Sequence, residues 1–179
     1  ENIYVLDSPI LTNSQLKKFK KFFSKKTKEI DCTFDISSSL KDRIEKIREE
    51  AETSVREGST CLILSDKNIS NKKASIPSIL TVGAVHSHLV KLGLRGYCSL
   101  NVECADALDT HSFAILIGVG ATTVNPYLAI DSIYQRYEKK LFGKSDFESC
   151  VVKFKKSIDA GLLKIMSKMG ISVISSYRG

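Results

Sequence analysis

Helical and strand-like stretches alternate along this chain, and glycine separates them four times. In each case a helical pattern ends at glycine and a strand-prone run follows at once. Glycine suits this point because the left-handed residue that closes a helix carries no Cβ penalty there. Repeated helix, glycine, strand units predict parallel strands joined by helical crossovers. The units are Gly58 before 60–64, Gly93 and Gly96 before 97–102, Gly120 before 122–124, and Gly170 before 171–174.

Further elements precede these units in the N-terminal part. A helix is predicted from about 13 to 24, and the side chain of Asn13 is expected to cap its first turn. A fifth strand is predicted over 30–34. Leucine, isoleucine and valine recur at helical spacing from position 38 or 39 to about 57, which predicts an amphipathic helix with charged residues outward.

The segment from 131 to 156 predicts two short helices, because 143–146 interrupts its apolar pattern. The polar loop from Lys67 to Lys73 is expected to be exposed and mobile. Together these patterns predict an α/β fold with a mainly parallel sheet and helical crossovers, resembling part of a β/α barrel. One domain is expected over 1–179, with the helix, glycine, strand units running from about 38 to 176.

Composition excludes several classes of protein. The chain has 179 residues, of which 42% are hydrophobic, enough for a core. No apolar run approaches the roughly 20 residues of a membrane span, and the start lacks the pattern of a signal peptide. The five cysteines are scattered and lack metal-ligand spacing, so reduced thiols are favoured over a zinc or iron–sulfur site.

A net charge of +7 raises the question of nucleic-acid binding. Lysines crowd the predicted N-terminal helix, and Phe19, Phe22 and Phe23 lie among them. Their helical spacing suits packing better than base stacking. A solvated lysine face is therefore favoured, and a basic nucleic-acid-binding module remains an alternative.

Polar residues follow the predicted strands, where ligands of parallel sheets sit. None of these residues is a nucleophile with a base beside it. A structural role explains them equally well: Asp66 and Asn125 would cap the following helices, and Glu103 would bond loop amides. A second alternative is an autonomous β/α enzyme that works at Asp66, Glu103, His111 and Asn125. Asn125-Pro126-Tyr127 is expected at the carboxyl edge of a buried parallel strand.

Two other motifs favour no site. Gly118-x-Gly120 ends a helix and precedes a strand, which is the reverse of a phosphate-binding loop. His86 and His88 point to different sides of one helix, so they do not ligate one metal ion.

Three segments together resemble the central domain of the glutamate synthase large subunit. The stretch from His111 to Ala129 carries the family's His, Phe, Ala, Gly-x-Gly-Ala and Asn-Pro-Tyr-Leu-Ala pattern. The stretch 74–95 resembles its Ile-Pro and Gly-Ala-Val-His helix, and 161–179 resembles its Lys-Met-Gly-Ile-Ser to Ser-Tyr-Arg-Gly ending. Ser87 replaces a usual histidine, and Cys104-Ala105 replaces a usual Thr-Gly.

This resemblance implies an enzyme that reductively transfers the glutamine amide nitrogen to 2-oxoglutarate, giving two glutamates. An amidotransferase domain and an FMN-binding domain with an iron–sulfur cluster are implied partners in the same parent chain. The central domain is expected to join them and to wall a tunnel for ammonia. Within this chain no cofactor, catalytic residue or metal ligand is expected, and the isolated chain is expected to be inactive.

The resemblance leaves the electron donor open, with a reductase subunit or ferredoxin as further partners, and places the parent in the cytoplasm or in a plastid. The residues proposed for the tunnel or for domain interfaces are Thr33, Asp66, Glu103, His111, Asn125, Tyr127, Lys164, Lys168, Ser175 and Arg178.

The sequence of the C-terminal helix indicates a contact surface for another domain or another copy of the chain. Met166 and Met169 lie three residues apart before Gly170. If the chain is a piece of a longer protein, as its first and last residues lead us to expect, one side of this helix is bare. An apolar patch near Ile165, Met169 and Tyr177, and self-association through it, are therefore predicted.

Overall fold

The structure is a computed structural model that describes residues 4–178. A helix is followed by glycine and then a strand of the parallel sheet at Gly58, Gly93 and Gly120, as the glycine pattern predicts. The helices are α1 (Asn13–Phe23), α2 (Leu40–Arg56), α3 (Ser78–Lys91), α4 (Thr110–Gly118), α5 (Tyr127–Glu138) and α6 (Phe147–Lys168). The strands are β1 (Thr27–Asp31), β2 (Thr33–Asp35), β3 (Cys61–Ser65), β4 (Lys73–Ser75), β5 (Ser99–Glu103) and β6 (Thr123–Asn125).

Four strands form one parallel sheet in the order β1-β3-β5-β6. Helices α2, α3 and α4 make the crossovers between consecutive strands. The N-terminal segment adds a parallel bridge between Ile10 and Val124 at the β6 edge, which the hydrophobic pattern did not predict. The predicted α/β class with helical crossovers is confirmed.

The two faces of the sheet differ in chemistry because side chains alternate along each strand. Leu62, Leu64 and Val102 belong to the large apolar core shared with α2, α3 and α4. Cys61 and Ile63 point to the other face, where α1 packs on them through residues that include Phe19. This second face carries most of the polar residues of the sheet, and we call it the inner face.

The N-terminal elements match the prediction with two corrections. Thr12 caps α1 in a capping box with Gln15, whereas Asn13 does not cap it. The single strand predicted over 30–34 is two strands: β1 joins the parallel sheet, and β2 pairs antiparallel with β4. The chain turns between them because the Asp31 carboxylate accepts hydrogen bonds from the backbone and hydroxyl of Thr33. Ser39 caps α2, so the helix begins where the pattern predicted a start at 38 or 39.

The C-terminal part corrects the sequence analysis more strongly. Gly170 has φ +69 and ends α6, but no strand follows, because 174–177 forms a 3-10 turn. The second helix of the 131–156 region is not short, since it continues without a break to Lys168. Met169 is 59% exposed. Ile165 and Tyr177 pack partly against the core, so the bare apolar patch is smaller than expected; self-association stays a prediction.

Candidate functional site at the carboxyl edge

One row of polar side chains crosses the whole parallel sheet where its strands end. The pairing places Asp31 beside Ser65, Ser65 beside Glu103, and Glu103 beside Asn125. Their shared register puts all four on the inner face. We call these four residues the carboxyl-edge row. The predicted position of Asn125-Pro126-Tyr127 at the carboxyl edge of a parallel strand is confirmed.

Glu103 is the buried charge of this row. Its side chain lies 2.8 Å from Lys67 Nζ and 3.5 Å from Lys20 Nζ, and it accepts a 2.9 Å hydrogen bond from Ser65 Oγ. Burial opposes its ionisation, but the Lys67 hydrogen bond, the Lys20 charge and Ser65 outweigh that effect and lower its pKa. Glu103 is therefore an ionised carboxylate at neutral pH, bonded to lysines rather than to the loop amides expected as its alternative role.

Asp66 lies just beyond the row and is only 5% exposed. One carboxylate oxygen accepts a 3.0 Å hydrogen bond from the Ala105 amide, which ties the loop after β3 to the loop after β5. Burial raises its pKa, while the Ala105 amide and the Tyr127 hydroxyl act against the rise. The pKa of Tyr127 is also raised, by burial and by Asp66. Asp66 does not cap a following helix.

Asn125 is 1% exposed and joins β6 to the N-terminal segment. Its Nδ2 donates to Leu11 O at 2.9 Å and to Asn13 Oδ1 at 3.0 Å. Its Oδ1 is buried and accepts no hydrogen bond from any residue within 4–178. Asn125 therefore does not cap α5, whose N-cap is Pro126.

Lys20 and Lys67 were missed by the sequence analysis as members of this site. Lys20 was counted with the solvated lysines of α1, but it bridges Glu29 and Glu103. Lys67 belongs to the loop expected to be exposed; its Nζ binds Glu103 and lies 5.0 Å from the centre of the Tyr127 ring. Lys67 directly follows Asp66 at the end of β3, which was a local signal in the sequence, whereas Lys20 lies within α1 and had none.

The remaining predicted residues divide into two groups. Thr33 is buried and bonds Asp31, so it borders the row. His111 is exposed in the first turn of α4, and no hydrogen bond or ion pair among the described residues connects it to the row. Lys164, Lys168 and Ser175 are exposed in the C-terminal region. Arg178 donates to Ala121 O, which precedes β6, so it lies at the opposite edge of the sheet.

The opposite edge of the sheet, where the parallel strands begin, is the amino edge. It contains Arg95 as well as Arg178. Arg95 donates to Cys98 O at 2.6 Å, to Gly120 O at 2.8 Å and to His86 Nδ1 at 3.0 Å. Burial lowers the pKa of both arginines, and the charge of Arg95 adds to the effect on Arg178. We call Arg95 and Arg178 the arginine pair. Their bonds hold backbone carbonyls, which is a structural role.

The chemistry of the described residues does not fit a metal cluster or a flavin. Across residues 4–178 no three histidine, cysteine, aspartate or glutamate side chains are grouped to hold a metal ion. The five cysteines are free and buried. The carboxyl edge, where a flavin phosphate would bind in a barrel, carries carboxylates, and its lysines are already paired with Glu103.

The sequence matches the family model of the glutamate synthase central domain over residues 1–179. The chain belongs to that family. It is 50% identical over 177 residues to the glutamate synthase [NADPH] large chain of Azospirillum brasilense, covering 97% of this chain. It is 39% identical over 189 residues to the ferredoxin-dependent glutamate synthase of Pyropia yezoensis, again over 97% of this chain. The resemblance seen in the sequence is confirmed.

The central domain is a small part of these relatives, since the chain spans 12% of the length of each of them. Among solved structures it resembles DHODH from Eimeria tenella in complex with ferulenol, with a TM-score of 0.55 and 14% identity. The match covers 84% of this chain and 36% of that one, which fits part of a β/α barrel. Within the described residues, no helix has the length and apolar character needed to cross a membrane.

Proposed function

We propose that this chain is the connecting domain of a glutamate synthase, and that its carboxyl edge forms part of the wall of an ammonia path. The parent enzyme moves the amide nitrogen of glutamine to 2-oxoglutarate and reduces the product to glutamate. The amidotransferase domain and the FMN and iron–sulfur domain are its partners in the same chain. Relatives named for NADPH, NADH and ferredoxin leave the electron donor open.

The carboxyl-edge row is the observation that supports this proposal. It is a continuous line of hydrogen-bonding side chains on the inner face, from Asp31 to Asn125. Ammonia released into water would be protonated and diluted, whereas an enclosed path keeps it at a high effective concentration. A polar wall of this kind solvates a small molecule with N–H groups without reacting with it.

The two alternative functions receive less support from the structure. The autonomous enzyme requires Asp66, Glu103, His111 and Asn125 to converge, but His111 is exposed and makes no described contact with the row. The nucleic-acid module requires aromatic side chains free for stacking. Phe19 is buried, and Phe22 and Phe23 pack against each other and against Tyr4.

The proposal is tested by narrowing the proposed ammonia path beside the carboxyl-edge row in the full-length enzyme. Ser65→Leu adds bulk at the carboxyl edge, and Ser99→Leu adds the same bulk on the same face at the amino end of β5. Glutamine hydrolysis, glutamate formed from 2-oxoglutarate, and ammonium released to solvent are measured together. For Ser65→Leu we expect hydrolysis to continue while synthesis falls and ammonium is released.

Ser99→Leu is the matched control and is expected to keep hydrolysis and synthesis coupled. If both variants fold and couple glutamine hydrolysis to glutamate synthesis equally well, the carboxyl edge does not border the path. The compartment is proposed from the relatives, among which are chloroplastic enzymes, and is either the cytoplasm or a plastid.

A further inference from the structure

The guanidinium group of Arg178 is only partly used by the bonds that hold the amino edge together. Within residues 4–178 it makes one hydrogen bond, from Nη2 to Ala121 O at 3.3 Å. Its Nε is buried and finds no acceptor in the same part of the chain. A buried N–H without an acceptor is costly, and native structures rarely keep one unless water, a ligand or a function satisfies it.

The neighbouring Arg95 is used in full, which separates the two arginines. It donates to Cys98 O, Gly120 O and His86 Nδ1. Helix α4 ends just before these carbonyls, and the partial negative charge at a helix C-terminus favours a cation there. This attraction explains the position of Arg95. It explains less of Arg178, whose contact with Ala121 O is longer than most N–H···O hydrogen bonds.

No acidic side chain among the described residues balances the charge of the arginine pair. None of the ion pairs within residues 4–178 includes Arg95 or Arg178. Burial lowers the pKa of both arginines, and the positive charge of Arg95 lowers that of Arg178 further. Two guanidinium groups therefore repel each other in a partly buried place, and an anion beside them relieves that repulsion.

The packing of Tyr177 fixes the position of the Arg178 guanidinium. Tyr177 is partly buried against the core, and its ring covers Gly118, where an added Cβ would lie 3.3 Å from it. The 3-10 turn over 174–177 thus carries Arg178 back across the end of α4 to Ala121. A donor that is already held in place loses less conformational entropy when a ligand binds.

We propose that Arg178, with the charge of Arg95 beside it, forms a binding site for an oxyanion, either a carboxylate or a phosphate, at the amino edge of the sheet. Arg178 Nε donates to one oxygen of the anion, and Arg95 contributes charge while keeping its three bonds. The planar guanidinium suits these anions because several N–H groups point outward in one plane. No covalent bond is made or broken.

Two sources can supply this anion. One is a carboxylate side chain in the rest of the parent chain, since this chain spans 12% of the length of the relatives named above. The other is a free anion from solution. The chemistry at Arg178 is the same for both, and the experiment tells the sources apart.

The site is tested in crystals of the full-length enzyme, grown without phosphate or sulfate and soaked in graded concentrations of selenate. Selenate is an oxyanion whose selenium scatters anomalously. A site for a free anion gives a selenium peak within hydrogen-bond distance of Arg178, with an occupancy that saturates. A site filled by the parent chain instead shows an aspartate or glutamate side chain at Arg178 and no selenium peak there. Either result supports the proposal.

The variant Arg178→Met tests whether the guanidinium itself holds the anion. For a free anion we expect the selenate affinity to fall about tenfold or more, because a hydrogen bond to a charged group is worth at least this factor. For a carboxylate of the parent chain, Arg178→Met and replacement of that carboxylate by its amide should lower the Tm non-additively.

The variant Lys168→Met is the matched control. Lys168 is exposed at the end of α6, so its replacement removes one positive charge from the same C-terminal region without touching the arginine pair. Both readouts are expected to match the wild type. If Arg178→Met does not fold, Arg178→Lys keeps the charge but lacks Nε, and its selenate affinity should fall about threefold or more.

Two results would overturn the proposal. One is a full-length enzyme in which Arg178 contacts only carbonyl oxygens or water and binds no selenate. The other is selenate binding that is as strong in Arg178→Met as in the wild type, which would mark an adventitious ion only. Neither result bears on the ammonia path, because Ser65→Leu tests the opposite edge of the sheet.

Discussion

The two edges of the parallel sheet use buried charge in opposite ways. At the amino edge the arginine pair is bonded to backbone carbonyls, and Arg95 uses its Nε, Nη1 and Nη2 groups. At the carboxyl edge the charge of Glu103 is balanced by lysines, while Asn125 Oδ1 next to it has no described partner. The comparison teaches that polarity alone does not mark a site. Arg95 is saturated and stabilises the fold, whereas Arg178 Nε at the same edge and Asn125 Oδ1 at the other are buried without a partner among the described residues.

The largest expected effect lies at the amino edge. Gly120 has φ +123, and a Cβ there would overlap the His86 ring that receives the Arg95 hydrogen bond. Gly120→Ala should therefore combine backbone strain with a displaced ring and lower the free energy of unfolding by about 3 kcal/mol. Denaturant unfolding measures it, with Gly58→Ala as a control for φ alone, since Gly58 has open space around its Cβ position. If Gly120→Ala lowers the free energy of unfolding no more than Gly58→Ala does, the tight packing of this edge is contradicted.

A second effect tests whether the arginine pair is purely structural. Arg95→Met keeps the apolar stem and removes the hydrogen bonds to Cys98, Gly120 and His86. We expect a loss of about 2–3 kcal/mol in the free energy of unfolding, because three carbonyl or ring acceptors lose a charged donor. Where the full-length variant folds, its coupling of glutamine hydrolysis to synthesis should match the wild type. Ammonium release from a stable Arg95→Met enzyme would contradict the contrast between the edges.

A smaller effect is expected at Glu103, and it depends on pH. The pKa of Glu103 is lowered in the folded protein, so its charge stabilises the fold above its unfolded pKa of about 4.3, and this contribution is lost as pH falls through the folded pKa. Glu103→Gln should cost about 1–2 kcal/mol at pH 7, a value reduced for the partly exposed lysines. It should also flatten the fall in stability below about pH 4. Urea unfolding of both proteins between pH 3 and about 7 checks this, and an unchanged acid slope would contradict it.

The smallest effect is expected at Asp66. Its pKa is raised, so ionisation opposes folding once the pH is above its unfolded value, the reverse of Glu103. Asp66→Asn removes that charge and keeps an oxygen for the Ala105 amide. At pH 7 the variant should be as stable as the wild type or up to about 1 kcal/mol more stable. Thermal unfolding measures this, and a loss above about 2 kcal/mol would show that the charge itself holds the two loops together.

Much of this architecture follows from local sequence. Gly58, Gly93 and Gly120 lie at positive φ where helices end, and a strand of the parallel sheet follows each of them. These signals act within a few residues, so they are legible without the fold. The same signal was misleading at Gly170, because a helix end does not decide whether a neighbouring strand is available for pairing.

Polar strand ends were also predictable, because residues that follow strands in a parallel sheet share one edge. Glu103 and Asn125 were named on that basis, and the register places them side by side. The family resemblance was carried by short motifs and needed no structure. What each polar atom does was not predictable from these patterns.

Tertiary structure alone decided the contacts made over long sequence distances. Lys20 reaches Glu103 from α1, which is distant in the sequence, and Asn125 bonds Leu11 O across a separation of 114 residues. Whether Asn125 Oδ1 finds a donor depends on where the N-terminal segment lies, and no local pattern contains that information. Sequence by itself determined the family, the alternation of elements and the edge where polar residues collect, because these arise from local backbone preferences. The fold decided which of those residues are saturated and which are left open, because hydrogen-bond partners are chosen by proximity in space.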